Sequence, residues 1–189
     1  MYNTISYHSP VGMLTLAGDK RGLAGLWIEG QKYYGGSVLK GLPDVNSENH
    51  QESMAEEVRL VLEAAKDWLD QYFSNQRPSP DLIPLKPQGS GFRQNVWKIL
   101  CEIPYGQVIT YGEIAKKMAV IMNRERMSGQ AIGGAVGHNP ISIIIPCHRV
   151  VGSNGSLTGY AGGIDKKRKL LEWEGVDVSR LSLLSVKKL

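Results

Sequence analysis

The chain has 189 residues, 42% of them hydrophobic and 21% charged, with a formal net charge of +4. That is enough for one large domain or two small ones, and the composition is that of a globular protein. No stretch approaches the roughly 18 apolar residues that span a bilayer, and no basic region followed by an apolar core opens the chain. Its two cysteines, far apart in sequence, argue against a disulfide framework and for a reducing compartment, the cytoplasm.

Residues 2–7, 13–17 and 23–28 read as three strands, separated by the turn signals Ser9-Pro10-Val11-Gly12 and Gly18-Asp19-Lys20-Arg21-Gly22, which predicts a β-meander. A polar stretch from Lys40 to Gln51 reads as loop. Ser53-Met54-Ala55-Glu56 has the form of a capping box, and Val58, Val61, Leu62, Ala65, Leu69 and Tyr72 then recur at helical spacing, a stripe suited to covering the sheet. Pro78, Pro80, Pro84 and Pro87 mark an extended linker, with residues 81–85 as a candidate short strand.

The rest reads as helical. Phe92, Val96, Ile99, Leu100 and Ile103 form one apolar face of a helix that stops at Pro104; Cys101 lies on it as a packing residue. Thr110-Tyr111-Gly112-Glu113 is a second capping box, opening a helix through Met118. Ser128 caps another that runs to about His138 and is dominated by small residues. Two helices joined this way fit a helix-turn-helix, although generic helix pairs are commoner. The expected fold class is α+β, with an N-terminal domain over 1–85, a C-terminal domain over 86–178, and a tail from 179 to 189 whose role is open.

Charge divides along the same line. Up to Leu85 there are 7 Lys/Arg against 11 Asp/Glu; from Lys86 onward there are 15 against 7. A basic second half suits a polyanionic partner, although the run Lys166-Lys167-Arg168-Lys169 alone reads equally as solvated lysines. The same half contains Ile145-Pro146-Cys147-His148-Arg149-Val150-Val151, behind an apolar run expected to be a buried strand (Ile141, Ile143, Ile144, Ile145). A thiol beside an imidazole is a candidate nucleophile, because the thiolate is the reactive form. Taken alone, it is equally a buried structural cysteine.

The surroundings of this run resemble the active-site motif of the O6-alkylguanine-DNA alkyltransferases. Gly133-Gly134-Ala135-Val136-Gly137-His138-Asn139-Pro140 leads in, Gly159-Tyr160-Ala161-Gly162-Gly163 follows, and a helix ends in Glu172-Trp173-Glu174-Gly175. The resemblance implies a ribonuclease H-like first domain and a winged-helix-like second one. The implied activity is single-use DNA repair: a methyl or small alkyl group passes irreversibly from guanine O6, with O4-alkylthymine as a second candidate substrate, to Cys147. His148 would act through a water, polarised by Glu174, with Asn139 as the hinge asparagine. Unaided, Glu174 reads as a solvated helix-end charge and Asn139 as a helix C-cap.

By the same resemblance, Tyr111, Val150, Tyr160, Ala161 and Gly162 line the pocket for a flipped base. Phe92, Arg93, Gly112, Gln130, Ala131, Gly133, Arg149 and Ser153 contact double-stranded DNA, with the small-residue helix in the minor groove. Gln130 stands where the family often has an arginine, and Ala161 where it often has a serine. No metal, no cofactor and no obligate protein partner are implied, and a monomer is expected. The alternative is a non-catalytic alkyl-lesion sensor of the same fold; such relatives replace the cysteine, and this chain keeps Cys147.

Overall fold

Alternating apolar residues and well-formed turns produce the expected meander. The computed structural model describes residues 2–40 and 54–181. β1 (Asn3–Ser9), β2 (Gly12–Asp19) and β3 (Gly22–Ile28) pair antiparallel in that order. The first turn is closed by Ser9, whose hydroxyl donates to the Gly12 carbonyl at 2.6 Å and accepts from Val11 N–H. At the second, Gly22 has φ +146°, and a Cβ there would collide with the Pro84 carbonyl oxygen, so no other residue fits.

α1 (Glu56–Phe73) buries Val58, Val61, Leu62, Ala65, Trp68, Leu69 and Tyr72 against the sheet, the predicted stripe with Trp68 added. Its start differs from the expected capping box. The N-cap is Ala55, with no side-chain cap, so Glu56 is the first helical residue and not the third; Ser53 lies outside the described residues. The polar stretch expected to be loop lies outside them as well, beyond Lys40, as does the tail beyond Leu181.

All seven residues of β3 are buried, and its second edge is closed by two extended segments instead of being left open. Leu23 exchanges hydrogen bonds with Pro84 and Lys86, and Leu26 with Pro140 and Ser142, at 2.7–2.9 Å. The strand expected over 81–85 is therefore reduced to one bridge at Leu85, because Pro80–Leu82 coils into a 3₁₀ turn capped by Ser79. Pro140–Ile144 belongs to this first unit together with Met1–Gln88, whereas Gly89–Asn139 and Ile145–Leu189 form the second.

In the second unit, Ser90 caps α2 (Gly91–Cys101), which buries Val96, Trp97, Ile99 and Leu100. Thr110 and Glu113 form the expected capping box of α3 (Tyr111–Ile121), which continues three residues past the predicted end. Ser128 caps α4 (Gly129–Gly137). These three helices pack on one another, and Trp97 Nε1 donates to the Ala135 carbonyl at 2.9 Å. That anchor matters because the glycines of α4 give it little intrinsic helical stability. β4 (Ile109–Thr110) pairs parallel with β5 (Val150–Val151), and α5 (Ile164–Trp173) closes the unit. No described helix is long and apolar enough to cross a membrane.

Candidate active site

The four isoleucines before the cysteine do not form the expected strand. Only Ile141 bridges, to Leu26. Beyond it Ile144 N–H donates to the Ser142 carbonyl at 2.8 Å, with Ile143 between them at φ +70°. An i to i+2 bond around a positive φ is a γ-turn of the rare, strained hand, and a β-branched residue there is an outlier. Burial of the Ile143 side chain, worth about 1.5–3 kcal/mol, offsets a backbone cost of roughly 1–3 kcal/mol. A second, relaxed γ-turn follows: Cys147 N–H donates to the Ile145 carbonyl at 2.8 Å around Pro146, at φ −82° and ψ 64°. Two γ-turns in six residues thus deliver the chain into the 3₁₀ turn Cys147–Arg149, all three residues of which are buried.

Asn139, just past the His138 C-cap of α4, fixes this turn. Its Nδ2 donates to the Ile145 carbonyl at 2.7 Å and to Cys147 Sγ at 3.1 Å. Burial pushes the Cys147 thiol above its ordinary range, while the Asn139 donor and the charge of Lys167 pull the other way without overcoming it. The resting group is a neutral thiol, so a base must take its proton.

Glu174, the C-cap of α5, is far from the solvated charge its position in sequence implies. It is 5% exposed and accepts four donors. His148 Nε2 reaches Oε1 at 2.6 Å, Arg149 Nη2 reaches Oε1 at 3.0 Å and Nε reaches Oε2 at 2.8 Å, and Gly106 N–H reaches Oε2 at 3.0 Å. Burial alone would raise the carboxyl, but His148 and Arg149 win and hold it far below the usual carboxylate range. Burial also lowers His148, against the pull of Glu174, so the imidazole is neutral at pH 7. An ionised carboxylate only accepts, so Nε2 carries the proton and Nδ1 keeps its lone pair. Nδ1 is buried and has no hydrogen-bond partner among the described residues. It is the one basic atom of the turn left available.

The remaining expected residues divide by exposure. Tyr111, at the start of α3, donates to the Thr158 carbonyl at 3.2 Å, and burial followed by the charge of Cys147 raises its phenol to about 12, which keeps it a donor. Gly159 leaves room for that hydroxyl, which would collide with a Cβ there. Val150 and Tyr160 are buried; Ala161 and Gly162 are half-buried. Gly112, Gln130, Ala131 and Ser153 are exposed, with Phe92, Arg93 and Gly133 half-buried. Arg149, expected at the DNA, is instead turned inward: it is 6% exposed, and besides Glu174 it donates to the Ile103 carbonyl at 2.6 Å and lies over the Tyr105 ring.

A family model described as the 6-O-methylguanine DNA methyltransferase ribonuclease-like domain matches residues 1–87, and one described as the DNA binding domain of the same methyltransferase matches residues 91–176. The chain belongs to the 6-O-methylguanine DNA methyltransferase family. Among this family's curated members, the methylated-DNA–protein-cysteine methyltransferase of Methanosarcina acetivorans is 41% identical over 175 residues, 93% of this chain and 99% of that one. The enzyme of the same name from Mycobacterium tuberculosis is 41% identical over 173 residues, 92% and 91% of the two chains. Among solved methyltransferases, the M. tuberculosis O6-methylguanine methyltransferase aligns with a TM-score of 0.67 at 37% identity, covering 92% of this chain and 93% of that one. The M. tuberculosis OGT in complex with DNA aligns with a TM-score of 0.66 at 38% identity, covering 95% and 93%.

Sequence reasoning misses one residue of this methyltransferase. Lys167 reads there as one of a run of solvated lysines, yet it is fully buried. The signal is present: Ile164, Lys167, Leu170 and Leu171 share one helical face, which puts Lys167 among the residues α5 turns inward.

Proposed function

We propose that this chain repairs DNA by moving a methyl or small alkyl group from guanine O6 to Cys147 Sγ, once per molecule. The observation that carries the reading is the pairing of a buried neutral thiol with a histidine whose Nε2 is committed to Glu174 and whose Nδ1 is not. Nδ1, acting through a water, takes the thiol proton. The sulfur attacks the alkyl carbon, an S–C bond forms as the C–O bond breaks, and the electron pair leaves with the guanine oxygen. A proton then returns to the base, with the Tyr111 phenol as the nearby donor. The products are a thioether and guanine, and no group at the site can reverse the step.

Such chemistry cannot reach guanine O6 within the stack, so the nucleotide is flipped into the pocket of Tyr111, Val150, Tyr160, Ala161 and Gly162. The exposed face of α4, with Gln130 and Ala131, meets the duplex, and Gln130 fills the gap. A reducing cytoplasm, where thiols persist, suits the chemistry. To test the assignment, duplex DNA carrying O6-methylguanine labelled in the methyl group is incubated with the protein, which is then digested. Label on the Cys147 peptide, at one equivalent per molecule, is expected; label elsewhere, or multiple turnovers, would refute it.

The glycines of α4 allow an independent check of the DNA face. A Cβ at Gly133 would meet nothing within 4 Å, so the fold itself does not require glycine there. Gly133→Ala should therefore stabilise the protein by roughly 0.5–1 kcal/mol through helix propensity. It should also weaken binding to duplex DNA, because the added methyl lies where the backbone would approach the groove. Thermal unfolding and a binding titration on one preparation read both effects, and unchanged affinity would remove Gly133 from the interface.

A further inference from the structure

Lys167 has no part in the reaction as described above, yet it is the least solvated cation of the described chain. It is 0% exposed, and its Nζ donates to the carbonyls of Val150 and Thr158, the latter at 2.8 Å. These acceptors flank a loop that already closes on itself. Gly152 N–H donates to the Ser156 carbonyl, Gly155 N–H to Gly152, and Ser156 N–H to Asn154 Oδ1. Val151 and Leu157, just inside the two acceptors, are buried with Leu171 of α5. Tyr111 donates to the same Thr158 carbonyl. One ammonium thus ties together both ends of the loop that carries Val150 and leads to Tyr160.

A buried lysine is costly, and a neutral side chain of similar length would fill the space without that cost. What only an ammonium supplies is charge. The titratable groups facing it are Cys147 and His148 on the 3₁₀ turn and the Tyr111 phenol from α3; β4 contributes none. We propose that Lys167 is a positioning residue of the alkyl-transfer site, clamping the 150–158 loop and placing a buried positive charge beside Cys147 that supports the thiolate as it forms. The inference rests on Cys147 being the acceptor. Burial lowers Lys167 to about 8, with Cys147 acting in the opposite direction. The ammonium is therefore present at neutral pH and is lost as pH rises through about 8.

The test uses the full chain and free O6-methylguanine base as the probe, so that DNA contacts play no part. Lys167→Met should lower the maximal alkylation rate at pH 7 by about tenfold or more, since an opposite charge nearby favours an ionised form by one to three pKa units. The wild-type to mutant rate ratio should shrink as pH rises through about 8, where the wild type loses the same charge. A ratio independent of pH would overturn the electrostatic role, because a clamp that acts only by hydrogen bonding survives in the neutral amine. Should Lys167→Met fail to fold, Lys167→Arg decides instead: its guanidinium keeps its charge above pH 8, so its rate relative to wild type should rise as pH passes through about 8, and a ratio independent of pH would overturn the proposal. Absence of label on Cys147 in the wild type would refute the acceptor assignment, and this inference with it.

Discussion

Replacing Cys147 with serine should abolish alkyl transfer while leaving affinity for O6-methylguanine duplex intact. The substitution exchanges one atom in a turn whose geometry is set by others. The Asn139 bond to the Ile145 carbonyl, the γ-turn at Pro146 and the Glu174 cluster do not involve the sulfur, and a serine oxygen can still accept from Asn139. Only the nucleophile changes, and a hydroxyl beside a neutral imidazole is far weaker than a thiolate toward alkyl carbon. Stoppage of labelling with unchanged binding is the expected pair of results. Methyl transfer near the wild-type rate would remove Cys147 from the mechanism, and loss of binding would show that the sulfur shapes the pocket. Cys101→Ser, on a half-buried position of α2, should retain full activity.

The second large effect concerns the proton path. His148→Ala removes the only partnerless ring nitrogen in the turn and should slow alkylation by roughly 10²–10⁴-fold, with little change in DNA binding because His148 is wholly buried. Glu174→Gln should slow the same step for a different reason. An amide can donate to Nε2, which releases the proton to Nδ1 and blocks the base. It should also destabilise the fold, because the buried Arg149 guanidinium loses its counter-charge; breaking such a pair costs about 3–5 kcal/mol. Rates must therefore be compared at a temperature where both variants are folded. If the two residues act as one unit, the double mutant should lose less than the product of the single losses. Multiplicative losses in single-turnover assays would mean that Glu174 serves the fold alone.

How much of this is legible in sequence depends on how local the determinant is. The capping box at Thr110–Glu113, the Ser128 cap and the α1 stripe are readable because each is settled within one or two turns of chain. The run of isoleucines misleads because β-branched residues favour strands, whereas the chain uses their bulk to hold a strained γ-turn in a buried place. Glu174 reads as solvated and Arg149 as a DNA contact for a related reason. Their partners, Gly106, Ile103 and each other, lie 25 to 68 residues apart in sequence, and no periodicity announces such a meeting. The Cys147-His148 pair itself is visible, but not which imidazole nitrogen is free.

A protein that reacts once has no second chance after reacting with the wrong molecule. The seclusion of Cys147 and the upward push on its thiol bear on that vulnerability directly. Oxidants such as hydrogen peroxide and free alkylating agents consume exposed thiolates, and a neutral, buried thiol is a poor target for either. The same burial that makes a base necessary for repair gives the unused molecule a long shelf life.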